Sequence, residues 1–190
     1  MPEITFHRVG PDEQADFTWA YSSVYRQGQV PEAPEDQVPF HDGHHRFIAR
    51  VDGKVAGCYR VWPFRVSRGQ AILTQGGIAA VGVMPEYRRL GLGTQMMDWS
   101  LDQMKQDGFL TASLYAFRES FYRRSGYELT GRRWNLKCPS GRLPHTPAEL
   151  EARRIMPEEA AAVLGPCLER FAQQRSGVNY RTPAPWVNRL

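Results

Sequence analysis

Val81-Gly82-Val83-Met84-Pro85-Glu86-Tyr87-Arg88-Arg89-Leu90-Gly91-Leu92-Gly93-Thr94 is the stretch around which the rest of the chain reads. A β-branched run ends at Val83, a proline turns the chain, two arginines follow, and two glycines open the next element. That order makes a mould for an anion. Gly91 and Gly93 lack a Cβ, so the backbone can approach a phosphate closely and take dihedrals that other residues resist. A helix beginning at about Leu92 brings unpaired first-turn N–H groups and its positive dipole end to the same place. Arg88 and Arg89 add permanent charge. Two other phosphate-binding patterns are excluded, because no third glycine completes a dinucleotide fingerprint and no Gly-Lys-Ser/Thr completes a P-loop.

Outward from this stretch, Ala71 to Val83 is apolar enough for a central strand, with Gly76, Gly77 and Gly82 admitting a bulge or a close ligand. On the other side, Met97, Leu101 and Met104 recur at helical spacing opposite Asp98, Asp102 and Lys105. This predicts an amphipathic helix over Leu92 to Gln106, closed by Gly108. Phe109 to Ala116 is apolar on both faces and predicts a buried strand parallel to its predecessor, which completes a βαβ unit. Arg118 to Ser125 then reads as a short helix stopped by Gly126, and Tyr127 to Lys137 as a closing strand carrying Trp134 and Leu136.

Upstream, Ile4 to Val9 alternates as a half-buried strand, and Pro11 or Asp12 opens a helix through about Tyr25 with Phe17, Tyr21 and Val24 on one side. Pro31, Pro34 and Pro39 with Glu32, Glu35 and Asp36 make residues 28–43 a loop, placed to border an acceptor site. His41, His44 and His45 at its end lack the accompanying Cys or carboxylate pattern of a metal site and read as surface or capping residues. Arg46 to Val51 and Lys54 to Phe64 form a hairpin across Asp52-Gly53, and a second hairpin at Val66 to Gln70 leads into Ala71. The expected fold is mixed α+β, with a mostly antiparallel central sheet and one parallel βαβ pair.

A length of 190 residues fits one domain and an appendage. Pro139 to Pro147 is linker by composition, giving a domain over 1–138, a linker over 139–149 and a partial, largely helical extension over 150–190. In that extension Ala152 to Ile155 reads as a short strand, Pro157 to Gln174 as a helix kinked or divided at Gly165-Pro166, and Arg175 to Arg181 as loop. No run approaches a membrane span and the first ten residues do not resemble a signal peptide, so no membrane partner and a cytoplasmic location are expected. Cys58, Cys138 and Cys167 are too scattered for a disulfide framework or a zinc site. The net charge of +4 is concentrated between Arg118 and Arg154, which fits an anionic ligand, a nucleic acid or a solvated face. No nucleic-acid recognition signature accompanies it.

Arg88-x-x-Gly91-x-Gly93 directly after a strand resembles the acyl-CoA loop of the GCN5-related N-acetyltransferases (GNAT). Phe121-Tyr122-Arg123-Arg124-Ser125-Gly126-Tyr127-Glu128 is similar to the segment with which many of them end. Together with Ala79 to Arg89, it resembles the first acetyltransferase domain of the enhanced-intracellular-survival (Eis-like) proteins, over roughly residues 1–138. The resemblance implies the GNAT fold and acetyl-CoA as co-substrate, with no metal. It implies a donor site at Val81, Gly82, Val83, Arg88, Arg89, Leu90, Gly91, Leu92, Gly93 and Thr94. Residues 150–190 resemble the opening of the second domain of such proteins, which implies either a fragment or a naturally shortened relative. The resemblance admits a homo-oligomer, although Eis-like proteins form their hexamers partly through parts that this sequence lacks.

The implied reaction is direct attack of a primary amine, on a small molecule or a lysine side chain, on the thioester. Backbone groups of Val81 and Val83 would pair with the pantetheine amides, and an N–H near Val81 would meet the developing oxyanion. Tyr122 stands where the family carries its general acid, and an ordinary tyrosine pKa of ~10 lies close to that of a thiol. Tyr127 reads as core. No carboxylate lies between Ala71 and Val83, so the base stays open among Glu119, Asp36, a histidine from 41 to 45, and a water relay. That gap supports the alternative of a non-catalytic acyl-CoA-binding or regulatory module.

Overall fold

The computed structural model describes residues 2–26, 44–132, 134–142 and 153–180. Their strands are β1 Ile4–Arg8, β2 His45–Val51, β3 Lys54–Arg68, β4 Ala71–Val83, β5 Thr111–Leu114 and β6 Asn179–Tyr180. The helices are α1 Gln14–Tyr25, α2 Leu92–Gln106, α3 Glu119–Arg123 and α4 Ala160–Gln173. The sheet runs β1-β2-β3-β4-β5, antiparallel throughout except for the parallel pair of β4 with β5. Asp52 and Gly53 both take positive φ, 48° and 76°, the hairpin geometry whose twist matches the flanking strands. The mixed α+β fold expected from the sequence is therefore the one found.

Strand alternation sorts the side chains onto two faces. Phe47, Ala49, Val51, Tyr59 and Val61 join Leu92, Met96, Met97 and Met104 of α2 in one core, while Ile48 and Cys58 join Phe17 and Ala20 of α1 in the other. Phe47 and Tyr59 stack at 4.7 Å, and Trp99 meets both rings edge-on. Each fully buried large side chain contributes roughly 1.5–3 kcal/mol, so these two layers hold the sheet between α1 and α2.

Of the three glycines that admit a bulge or a close ligand, Gly76 and Gly77 form no bulge. Both lie in regular pairing with β3 and β5. They are glycines because a Cβ would sit 2.3 Å from Met104 Sδ or 2.3 Å from Phe64 Cε2. The bulge instead falls further along, where the β3–β4 register moves from Arg60↔Ala79 to Cys58↔Gly82 and leaves Ala80 and Val81 opposite Tyr59. Ala80 has φ 54°, rare for a residue with a side chain.

Five other expectations change. The strand after α2 is shorter than Phe109 to Ala116 and only half-buried, and Tyr115 is 87% exposed. No strand forms over residues 127–132 or 134–137, and Trp134 and Leu136 stand 80% and 97% exposed. An alternating pattern gives only the capacity for a strand, and a ladder needs a partner edge. Residues 153–156 likewise form no strand. The helix expected from Pro157 runs undivided through Pro166, whose exposed side lets solvent satisfy the carbonyl freed one turn back.

The expected loop over Arg175 to Arg181 contains β6, which pairs with β3 at Arg65 and Val66. It is pinned by the buried Ser67, whose hydroxyl donates to the Arg175 carbonyl at 2.6 Å and accepts from the Val178 N–H at 3.1 Å. Among the described residues no helix is long and apolar enough to cross a membrane.

Candidate active site

β4 and β5 pair only from Gln75↔Thr111 to Ile78↔Leu114. Beyond that point β4 continues to Val83 while β5 ends, so the two parallel strands part and leave the Ala79–Val83 edge without a strand partner among the described residues. Met84 N–H donates to the Ala56 carbonyl at 2.9 Å, which makes Met84 and Ala56 a hydrogen-bonded pair. Antiparallel alternation then turns the polar groups of Gly82 toward β3 and those of Val81 and Val83 into the opening. Two side chains confirm this direction. Tyr25 Oη donates to the Val81 carbonyl at 2.7 Å, and Arg88 Nε donates to the Val83 carbonyl at 3.1 Å.

The opening ends against the turn into α2. Pro85–Tyr87 forms one 3-10 turn, and Arg89 and Gly91 both take positive φ, 66° and 76°. Gly91 is the N-cap of α2 in the left-handed region, where a Cβ costs roughly 1–2 kcal/mol. Its carbonyl accepts from Thr94 and Gln95 at 3.1 and 3.2 Å, so the Thr94 amide is already engaged, while the amides before it lie at the helix start with no intrahelical acceptor. Gly93 is glycine for a different reason, since a Cβ there would come within 3.3 Å of Phe121 Cζ. Arg88, Arg89, Leu90 and Gly91 are exposed, and Leu92 is buried as the anchor. An exposed cationic turn over helix amides fits a phosphate group, and an open strand edge fits an extended amide chain.

α3 carries Tyr122 into the same neighbourhood. Tyr122 is 5% exposed and belongs to the core cluster that includes Leu92, against which Val81, Val83 and Phe121 pack. Its ring lies edge-on to Phe117, Phe121 and Tyr127, with centroids 5.6, 4.9 and 6.2 Å away. Burial pushes its hydroxyl above the ordinary tyrosine value, so it keeps its proton at neutral pH. Tyr127 packs on the same core as expected, and burial raises its pKa as well.

None of the described candidates for a base stands out. Glu119 is exposed on the first turn of α3. His44 packs on Trp62 and accepts from Arg46 Nε, and His45 faces Asp107 at 3.4 Å. Asp36 and His41 lie outside the described residues. Sequence reasoning missed two features of the site. Ala80 carries no outward sign of its bulge. Tyr25 had one, since it extends the Phe17 and Tyr21 stripe by one more turn and stacks on Tyr21 at 5.1 Å.

The family described as an acetyltransferase (GNAT) domain matches residues 6–130. An N-alpha-acetyltransferase of Sulfurisphaera tokodaii is 34% identical over 64 residues, covering 32% of this chain and 38% of that protein. A GCN5-related N-acetyltransferase from Kribbella flavida superposes with a TM-score of 0.72 at 23% identity over 98% of this chain and 49% of its own. One from Anabaena variabilis does so with a TM-score of 0.77 at 19% identity, over 99% and 48%. This chain thus spans about half the length of these two solved structures, or less than half of the curated relative. With the parted β4–β5 pair and the glycine turn lying inside the matched residues, the chain belongs to the GNAT acetyltransferase family.

Proposed function

We propose that the chain is an acetyl-CoA-dependent N-acetyltransferase acting on a primary amine, with residues 1–138 as the acetyltransferase unit. The observation that carries this is the unpaired Ala79–Val83 edge running into the Arg88–Thr94 turn with Tyr122 beside it. The Val81 and Val83 peptide groups pair with the pantetheine amides of the substrate. The turn from Arg88 to Thr94 receives its pyrophosphate. The amine lone pair attacks the thioester carbonyl, the oxyanion is met by a backbone N–H near Val81, and collapse expels a thiolate that takes the Tyr122 proton. The proton shed by the amine nitrogen passes to water, from which the tyrosinate is reprotonated. The N-alpha-acetyltransferase relative adds peptide α-amines to small amines and lysine side chains as acceptors to test.

Incubation with acetyl-CoA and an amine panel is expected to release free thiol. Tyr122→Phe should lower turnover by ~10²-fold while leaving CoA affinity unchanged, as loss of a general acid does. Full activity in that variant removes Tyr122 from the mechanism. The active form is protonated, so its contribution is kept at low pH and lost only as pH rises through a pKa above 10.0. A rate that declines between pH 8 and 9 in wild type and equally in Tyr122→Phe reports some other group. CoA binding without acetylation of any acceptor makes the chain a binding module instead.

A further inference from the structure

Both Val81 and Val83 carbonyls in the β4–β5 opening are already hydrogen-bonded by side chains, one by Tyr25 and one by Arg88. Arg88 belongs to the anion turn and has a place there when a phosphate arrives. Tyr25 does not. It is the last residue of α1, outside the turn, and it is half-exposed. Its ring is held by stacking on Tyr21, and its hydroxyl stays protonated because burial, then the nearby Cys58 and Tyr122, push its pKa up to about 12. The Val81 carbonyl points away from β3, so an incoming amide N–H approaches it on the side where the phenol hydroxyl, at 2.7 Å, already takes one of its two lone pairs.

We propose that Tyr25 is an intramolecular competitor for the donor slot: its hydroxyl gives up the Val81 carbonyl when a ligand amide pairs there, and donor binding thereby frees the last turn of α1. This rests on the donor site assigned above. The competition concerns only the amide-bearing arm of CoA. The nucleotide half, which meets the Arg88–Thr94 turn, binds without disturbing Tyr25.

Tyr25→Phe keeps the ring and its stacking and removes the one hydroxyl. Calorimetric titration should show CoA binding the variant about two- to tenfold more tightly than wild type, the range of one net hydrogen bond, with the adenosine bisphosphate half of CoA binding both equally. Unchanged or weaker CoA binding overturns the inference, as does an equal gain for the bisphosphate. In the unaltered chain, labelled with 13C at the tyrosine ζ carbon, the Tyr25 resonance should shift on saturation with CoA and hold still with the bisphosphate. A Tyr25 resonance indifferent to CoA also overturns it. Failure of wild type to bind CoA at all would overturn the donor site itself, whereas CoA binding with no Tyr25 response overturns only the competition.

Discussion

Ala80 is the residue on which the opening turns. At φ 54° it stands in a region that strains any residue with a Cβ, at a cost on the order of 1–3 kcal/mol. Its bulge rotates Val81 so that the following peptide groups face the gap left by β5. Ala80→Gly should keep the bulge and hold or raise the melting temperature, while Ala80→Val should destabilise by more than about 1 kcal/mol, because a β-branched side chain tolerates this backbone least. Thermal melts in which Ala80→Gly is no less stable than wild type while Ala80→Val falls below it test that the strain is real. Alanine advertises nothing of this in the sequence, whereas Gly76 and Gly77, which look like natural bulge residues, are small only because Met104 and Phe64 lie across them. Gly91 was legible, since a glycine at a helix entry after two arginines has few other uses.

Among the elements, α2 was read to its ends from periodicity, and its start at Leu92 aims the anion turn. β5 and the residues after α3 were not, because an apolar run states which side chains want burial and not whether a partner edge is there. α1 depends on a local device at its entry. Glu13 binds the Gly10 N–H at 3.2 Å, His7 at 2.8 Å and Arg50 at 3.1 Å. The His7 hydrogen bond first, then the Gly10 amide and the Arg50 guanidinium, pull the Glu13 carboxyl from 4.5 down to about 2. A carboxyl depressed on folding adds stability that is complete above its unfolded pKa and lost as pH falls from 4.5 toward about 2. Glu13→Gln should therefore melt lower than wild type at pH 7, with the gap closing below pH 4.5 and gone near pH 2. A gap that persists at the acid end would assign the loss to packing.

At the scale of the molecule, the described part of residues 153–180 is joined to the rest through the β3–β4 hairpin. Ser67 accepts and donates within the sheet extension, and Gly69 N–H binds Ser176 Oγ at 2.8 Å. Ser67→Ala leaves the Val178 N–H without its hydroxyl acceptor, and hydrogen exchange at that amide should quicken by about tenfold while amides of β2 keep their protection. An equal rise everywhere would mean global destabilisation. This docking was not readable, because a two-residue strand leaves no periodicity and Ser67 looks like any surface serine. The parting of β4 from β5 carries a different lesson. What it exposes is peptide group, identical at every position of every protein, so the side chains along that edge are free to be rewritten as long as the main chain keeps its path. A surface of this kind depends little on sequence, in keeping with a fold shared with a chain only 19% identical.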